Sequence, residues 1–354
     1  MTLLTLYSYL KTLNPSIYLS LPSIYLSLAF LFGIAAHFRA MGGYTFLRKL
    51  LSALSSEMGV LYAVATVTAV FSPFILNDVL ILILTPVLVR ISKESGVSVA
   101  PLVVAEVTYT NISSALTPIG NPQNILLWEY SGLSALEFVN LTWRPLLISL
   151  VLTSVALYPL SKRIGRTPIH VDNEWNMRPA IYLSTVAVIV FTLDILKVAN
   201  VLALALSFFS GFVFTAKSLK AFTREFDLKS LAILYLLIAS VSATSVFLEG
   251  ELRPYVELAA TGTQPYSAAF MLVVSNIISN VPTTQLVLTV GSVPPNVAPK
   301  LAVEAGLAGN IDPLGSLANL LALNILRQGG LSRKKTILLQ LLIGTLSFLP
   351  AFIA

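Results

Sequence analysis

Cysteine is absent from the 354 residues, so disulfides, thiolate metal sites and thiol nucleophiles are excluded. Charge is scarce as well: Asp, Glu, Lys and Arg make up 11% of the chain, against roughly 25% in a soluble domain. No Walker-type glycine-rich loop and no catalytic constellation is visible, so the chain reads as a non-enzyme without a bound cofactor. ATP use, if any, would fall to a separate ATPase subunit. The first residues also lack Lys and Arg, with Lys11 the first basic position, and a cleaved signal peptide is not expected.

What fills the chain instead is apolar: 56% hydrophobic residues and a mean hydropathy of +0.84. Several apolar runs reach the ~17–25 residues needed to cross a bilayer, so the expectation is an all-α polytopic membrane protein whose constant partner is lipid. The net charge of +6 sits in short loops, where it reads as topology and headgroup contact and not as a nucleic-acid surface.

Two stretches in opposite halves say nearly the same thing. PIGNPQN at 118–124 and PLGSLAN at 313–319 each break an apolar segment, and each follows a second matched pair, SPFILN at 72–77 and SNIISN at 275–280. Duplicated Pro, Gly and Asn inside hydrophobic segments point to the site of a repeat-built secondary transporter. The expected layout is a span at about 16–36, a basic amphipathic connection with Arg39, Arg48 and Lys49, a re-entrant hairpin at 58–91, a broken helix at 98–131 and a span at 143–161. A central helix pair at 179–216 follows. The second part then has a span at 229–248, a hairpin at 266–291, a broken helix at 300–326 and a span at 336–353. The broken helices are interrupted over 117–124 and 310–319.

Most of the 22 basic residues, among them Arg90, Lys93, Lys162, Arg163, Lys217, Lys220, Arg224, Lys334 and Lys335, fall in connections on one side. The other side holds few, with the acidic cluster Glu249, Glu251 and Glu257. By the positive-inside rule both termini lie outside the cell membrane, and the units 16–161 and 229–353 become repeats of inverted topology.

Unwound backbone at membrane depth must line protein or a water-filled cavity, and its free carbonyls and N–H groups suit cations and anions respectively. The candidate substrate or ion ligands are therefore Asn77, Asp78, Thr117, Gly120, Asn121 and Asn124 in the first half, with Ser279, Asn280, Asp312, Gly315, Ser316 and Asn319 in the second. Any asparagine among them could alternatively cap a half-helix. Asp78, Asp312 and Glu106 are the proton-coupling candidates, because an intramembrane carboxyl is functional by default; Asp78 and Asp312 could instead be helix caps, and Glu106 could be bonded to Ser or Thr. His37 and His170 read as surface-loop residues, and Trp128, Trp143 and Trp175 as interfacial anchors near span ends. No Lys or Arg falls in the breaks or tips, which favours a cation or a largely neutral weak acid over a di- or trianion.

The runs FSPFILNDV at 71–79, NISSALTPIGNPQN at 111–124, SNIISNVPTT at 275–284 and GNIDPLGSLAN at 309–319 resemble the ion transporter superfamily. That group includes arsenite and antimonite permeases of the ArsB type, NhaD-type sodium/proton antiporters, citrate carriers, divalent anion/sodium symporters and the melanosomal P protein. The Asn-Asp pair and the Gly-Ser-Leu-Ala-Asn stretch look most like the ArsB type. The resemblance implies two inverted repeats, a homodimer and an elevator-type transport domain, with Asn77, Gly120 and Asn124 in one half-site and Asn280, Gly315 and Asn319 in the other. The Ser-Asn-Thr signature of the symporters is missing from both tips. The function expected is proton-coupled efflux of a small oxyacid such as arsenite or antimonite; a sodium/proton antiporter and a sodium-coupled citrate-type carrier are the alternatives, with H⁺ or Na⁺ as coupling ion.

Overall fold

The computed structural model describes residues 15–166, 169, 175–215 and 219–354. Lys11, His170, Lys217 and the side chain of Glu249, all used above, lie outside the described residues. Among the described residues every regular element is helical.

The first helix, α1 (Pro15–Ala40), is followed by the amphipathic α2 (Gly43–Met58), whose Phe46, Leu47 and Leu51 are buried. Next, α3 (Val60–Phe71) and α4 (Asn77–Ser95) flank the first tip. The first broken helix is α5 (Val99–Ser114) with α6 (Pro122–Ser131). Then α7 (Ala135–Ile164) starts on a capping box in which Ser134 and Glu137 satisfy each other's backbone N–H. The middle of the chain is α8 (Arg178–Ile195), α9 (Asn200–Phe214) and the short α10 (Leu219–Glu225). Asp227 caps the long α11 (Leu228–Ala260). The second tip joins α12 (Tyr266–Ile278) and α13 (Asn280–Val290) through Ser279 alone. The second broken helix is α14 (Ala298–Ala308), a 3-10 turn at Pro313–Gly315, and α15 (Leu317–Gln328), followed by α16 (Lys334–Phe348) and a 3-10 turn at Leu349–Ile353.

Among the described residues four segments are long and apolar enough to cross a membrane: Pro22–Ala40, Ala135–Ile164, Arg178–Ile195 and Lys334–Ile353. A fifth is the pair Leu219–Glu225 and Leu228–Thr244, bent by 52° at its break. Their outer faces carry exposed large apolar residues such as Val155, Val188, Leu236 and Leu342, as lipid contact requires.

The centre is built from α5 and α14. Every residue of α5 is buried, as is nearly every residue of α14. On α5 the buried residues include Glu106, Asn111, Ser113 and Ser114, which hydrocarbon would not tolerate, so this helix is enclosed by protein. On α5 pack α3, α4, α7 and α16; on α14 pack α12, α13, α6 and α7. The two parts also exchange partners: α4 lies against α15, and α13 against α6.

Three local expectations are corrected. First, α1 runs on through His37, so the imidazole is not in a surface loop: it is fully buried against Phe208, Phe212, Phe222 and Tyr182. Second, Trp128 is fully buried and donates to Leu133 O at 2.7 Å, so it is no interfacial anchor, whereas Trp143 and Trp175 are exposed. Third, the acidic stretch after residue 248 is no loop. Helix α11 continues to Ala260 despite Gly250 and Pro254, with an Arg253–Glu257 pair one turn apart at 2.7 Å in the extension.

Candidate functional site

Both breaks form where the sequence places Pro and Gly, but their edges are shifted. Pro122 stands at the first turn of α6, where a missing N–H does no harm. The first break therefore ends at Asn121, and Asn124 lies inside the helix. Likewise α15 begins at Leu317, which puts Asn319 in its first turn.

From these positions the two asparagines tie their breaks together identically. Asn124 Nδ2 donates to Ser114 O at 2.9 Å and Thr117 O at 2.7 Å; Asn319 Nδ2 donates to Gly309 O and, at 3.1 Å, to Asp312 O. In both cases the acceptors are ten and seven residues back along the chain. Because each amide nitrogen is spent on backbone carbonyls, each side-chain oxygen must face the other way.

Two glycines let the chain close this tightly. A Cβ on Gly120 would collide with the backbone of Ser114, and one on Gly315 would stand 2.7 Å from Asn276 Oδ1 and 3.1 Å from Ala308 O. Asn276 itself donates to Leu272 O and Ala308 O.

The tips match in a second way. Asn77 Oδ1 accepts from Asp78 N at 2.8 Å, and Asn280 Oδ1 accepts from Val281 N at 2.9 Å, so each asparagine bonds the first N–H after it. Asn77 N also donates to Gly120 O at 3.1 Å, and Thr117 Oγ1 to Pro73 O. The first tip is thereby joined to the first break. Ser279 holds the second tip at φ 75°, a backbone region that side chains other than glycine's rarely adopt.

The acids differ in setting. Asp78 is 8% exposed at the start of α4. Asp312 is partly exposed and caps the 3-10 turn by accepting from Leu314 N at 2.9 Å. Glu106 is fully buried, with both carboxyl oxygens 2.9 Å from Thr85 Oγ1.

The structure also brings forward residues outside the candidate set. Asn111, on α5, reaches across to the second break, where its Nδ2 lies 3.2 Å from both Gly309 O and Asn319 Oδ1 and its Oδ1 accepts from Ser316 Oγ at 3.2 Å. Gln123 is fully buried with neither amide atom bonded. Thr284 Oγ1 and Asn280 Nδ2, on the α13 that packs against α6, also lack partners. Glu304 on α14 is a further buried acid: Gln264 Nε2 and Ser267 Oγ donate to its Oε1 at 2.7 and 2.9 Å, while its Oε2 is unpartnered. The sequence signals available were a polar residue in an otherwise apolar helix and, for Asn111 and Gln123, membership of the 111–124 run. Buried, unfilled polar atoms gathered at helix breaks are what a polar ligand or ion would satisfy.

A family model described as "Citrate transporter" matches residues 2–308. The chain belongs to the citrate transporter family. Membership makes it a multi-pass membrane transporter and not a member of an enzyme family, within the wider clan of ion transporters and divalent anion symporters. Among relatives of this citrate-transporter-family chain, the inner membrane protein YbiR of Escherichia coli is 30% identical over 284 residues, covering 78% of this chain and 72% of its own. The putative transporter arsB of Dictyostelium discoideum is 27% identical over 94 residues, 27% of this chain and 17% of its own. The silicon efflux transporter LSI3 of rice is 36% identical over 76 residues, 22% of this chain and 16% of its own.

Proposed function

We propose that this family member is a secondary active carrier of the plasma membrane that exports a small, largely neutral oxyacid such as arsenite or antimonite in exchange for protons. One observation carries this reading: the tips and breaks offer amides, hydroxyls, backbone groups and the carboxyls of Asp78 and Asp312, with no Lys or Arg among them. A fully charged di- or trianion would find no fixed cation there, whereas the hydroxyls of an undissociated oxyacid match amide oxygens and amide N–H groups one for one. The relatives named for silicon efflux and for arsB support the same class.

The shared bonding of Asn124 and Asn319, the paired Asn77 and Asn280, and the exchanged packing of α4 with α15 and α13 with α6 support two repeats of inverted topology. In this reading Asn77, Asp78, Thr117, Gly120, Asn121 and Asn124 form one half of the site, and Ser279, Asn280, Asp312, Gly315, Ser316 and Asn319 the other. Asp78 carries the proton. The hairpins and broken helices move together as an elevator against the remaining helices, within a homodimer whose termini lie outside.

A second reading follows from the family's description: coupled transport of citrate, with Na⁺ as the driving ion. A third is sodium/proton exchange through the same residues. The deciding experiment records internal pH in proteoliposomes of the purified chain given arsenite, antimonite, silicate, Na⁺, Li⁺ or citrate in turn. A pH change with the oxyacids alone is expected. A response to Na⁺ or Li⁺ alone, or to citrate with Na⁺, would overturn the oxyacid reading in favour of the corresponding alternative.

A further inference from the structure

At the matching positions Asn124 and Asn319 the two breaks are alike in backbone and unlike in what meets the side-chain oxygen; away from that position the second break keeps two unpartnered amide oxygens, Asn310 Oδ1 and, beside Gly315, Asn276 Oδ1. In the second, Asn319 has no free capacity on its inner face: Nδ2 holds Gly309 O and Asp312 O, and Oδ1 receives the Asn111 amide. Asn111 is itself held from behind by Ser316 Oγ. In the first break Asn124 makes the same two backbone bonds, yet its Oδ1 is buried without any partner, and so is the Oδ1 of Asn121. Both residues are fully buried.

The difference has a simple origin. Asn111 stands to Asn124 in the sequence as Gly306 stands to Asn319. These two positions meet where α5 crosses α14, since a Cβ on Gly306 would lie 3.1 Å from Asn111 O and 2.8 Å from the Ala115 side chain. From that crossing an asparagine reaches into the second break, and a glycine reaches into neither. The neighbouring pair is swapped in the complementary sense. A Cβ on Gly309 would press on Ser316 Cβ at 3.1 Å and reach ordinary contact with Asn111 Nδ2 at 3.4 Å, whereas its counterpart Ser114 fills the matching place in the first break and accepts from Asn121 Nδ2 at 2.7 Å.

We propose that the second break is a self-occupied half-site, in which the Asn111 amide takes the place of an external ligand, and that the working ligand site is single and lies at the first break on Asn121 and Asn124. Two buried amide oxygens without donors call for a positive charge or for O–H groups, so the ligand is a small monovalent cation or the hydroxyls of a neutral oxyacid. The inference rests on reading the breaks as the ligand site, and it sets the number of ligands bound per chain.

The test is a titration of the purified full-length chain. Each bound ligand stabilises the folded state by a term logarithmic in its concentration, so the slope of the unfolding midpoint against log concentration counts sites. Trp128, one turn beyond Asn124, reports on the first break when Trp143 and Trp175 are replaced by Phe. The probes are NaCl against choline chloride, and arsenite. The expectation is a single-site slope with a matching Trp128 response to one of the two probes, which identifies the ligand as cation or oxyacid. Asn111→Gly copies the residue found at 306 and should roughly double the slope; Asn111→Ala, a better helix former, should do the same if the glycine variant does not fold. Asn121→Ser should weaken the Trp128 response about tenfold, as loss of a buried oxygen ligand does. A double slope in the unaltered chain, or an unchanged slope in both Asn111 variants, overturns the self-occupied half-site while leaving the site reading intact. No response to either probe in any variant overturns both.

Discussion

Replacing Thr85 by valine should destabilise the protein well beyond what the change in size explains. Glu106 is fully buried, and its two oxygens are equidistant from one hydroxyl. The hydroxyl has one proton to give, so it donates to one carboxyl oxygen, and the second contact is either a share of that bond or the O–H of a protonated Glu106 donating back. Among the described residues no other donor to Glu106 is found. Valine keeps the branched shape of threonine, so the loss is the unmet acceptor, about 1–3 kcal/mol. Glu106→Leu removes the acceptor and leaves Thr85 free to bond a carbonyl one turn back in α4, a weaker perturbation. The double variant Thr85→Val/Glu106→Leu should then be more stable than Thr85→Val alone, with a coupling of about 1–3 kcal/mol. Equilibrium unfolding in mixed micelles measures all three variants. A Thr85→Val change below about 0.5 kcal/mol would refute the single-donor geometry, since a buried carboxyl cannot lose its only partner that cheaply. The same set decides what Glu106 does: transport retained by the stable double variant makes it structural, and proton coupling lost from it makes Glu106 a relay.

Asp78→Asn should abolish proton-driven net transport while leaving solute exchange, so internal pH and counterflow part company; unchanged coupling removes Asp78 from the mechanism. Gly120→Ala should cost more than Gly315→Ala, near the upper end of the ~1–3 kcal/mol range for overpacking, because backbone surrounds the first position and the nearest atom at the second belongs to a side-chain amide. Thermal midpoints of the two variants should show that order. His37→Phe should be tolerated to within about 1 kcal/mol, since neither ring nitrogen has a partner to lose. His37→Ala should cost about 3 kcal/mol for the cavity it opens among the phenylalanines.

The breaks were legible because Pro, Gly and Asn do their work locally: a proline sets the start of α6, and a glycine permits the close return of the chain. Asn77 and Asn280 were visible for the same reason, each bonding the next residue. What the sequence could not convey was distance. Asn111 reads as one more residue of an apolar helix, and its partner is 208 residues away. Glu304 meets Ser267 across 37 residues. His37 and Trp128 were misplaced because hydropathy near a span end does not reveal that the helix continues, or that four aromatic side chains from other segments enclose the ring.

The exchange of arms between the two parts has a consequence for how the chain is made. Synthesis delivers α3 to α7 long before α13 to α15 exist. Until then Asn111, Asn121, Gln123 and Asn124 have no α13 or α14 to shelter them, and unpaired amides facing hydrocarbon are costly. The first part is therefore expected to reach its final depth in the membrane only once the second has been made.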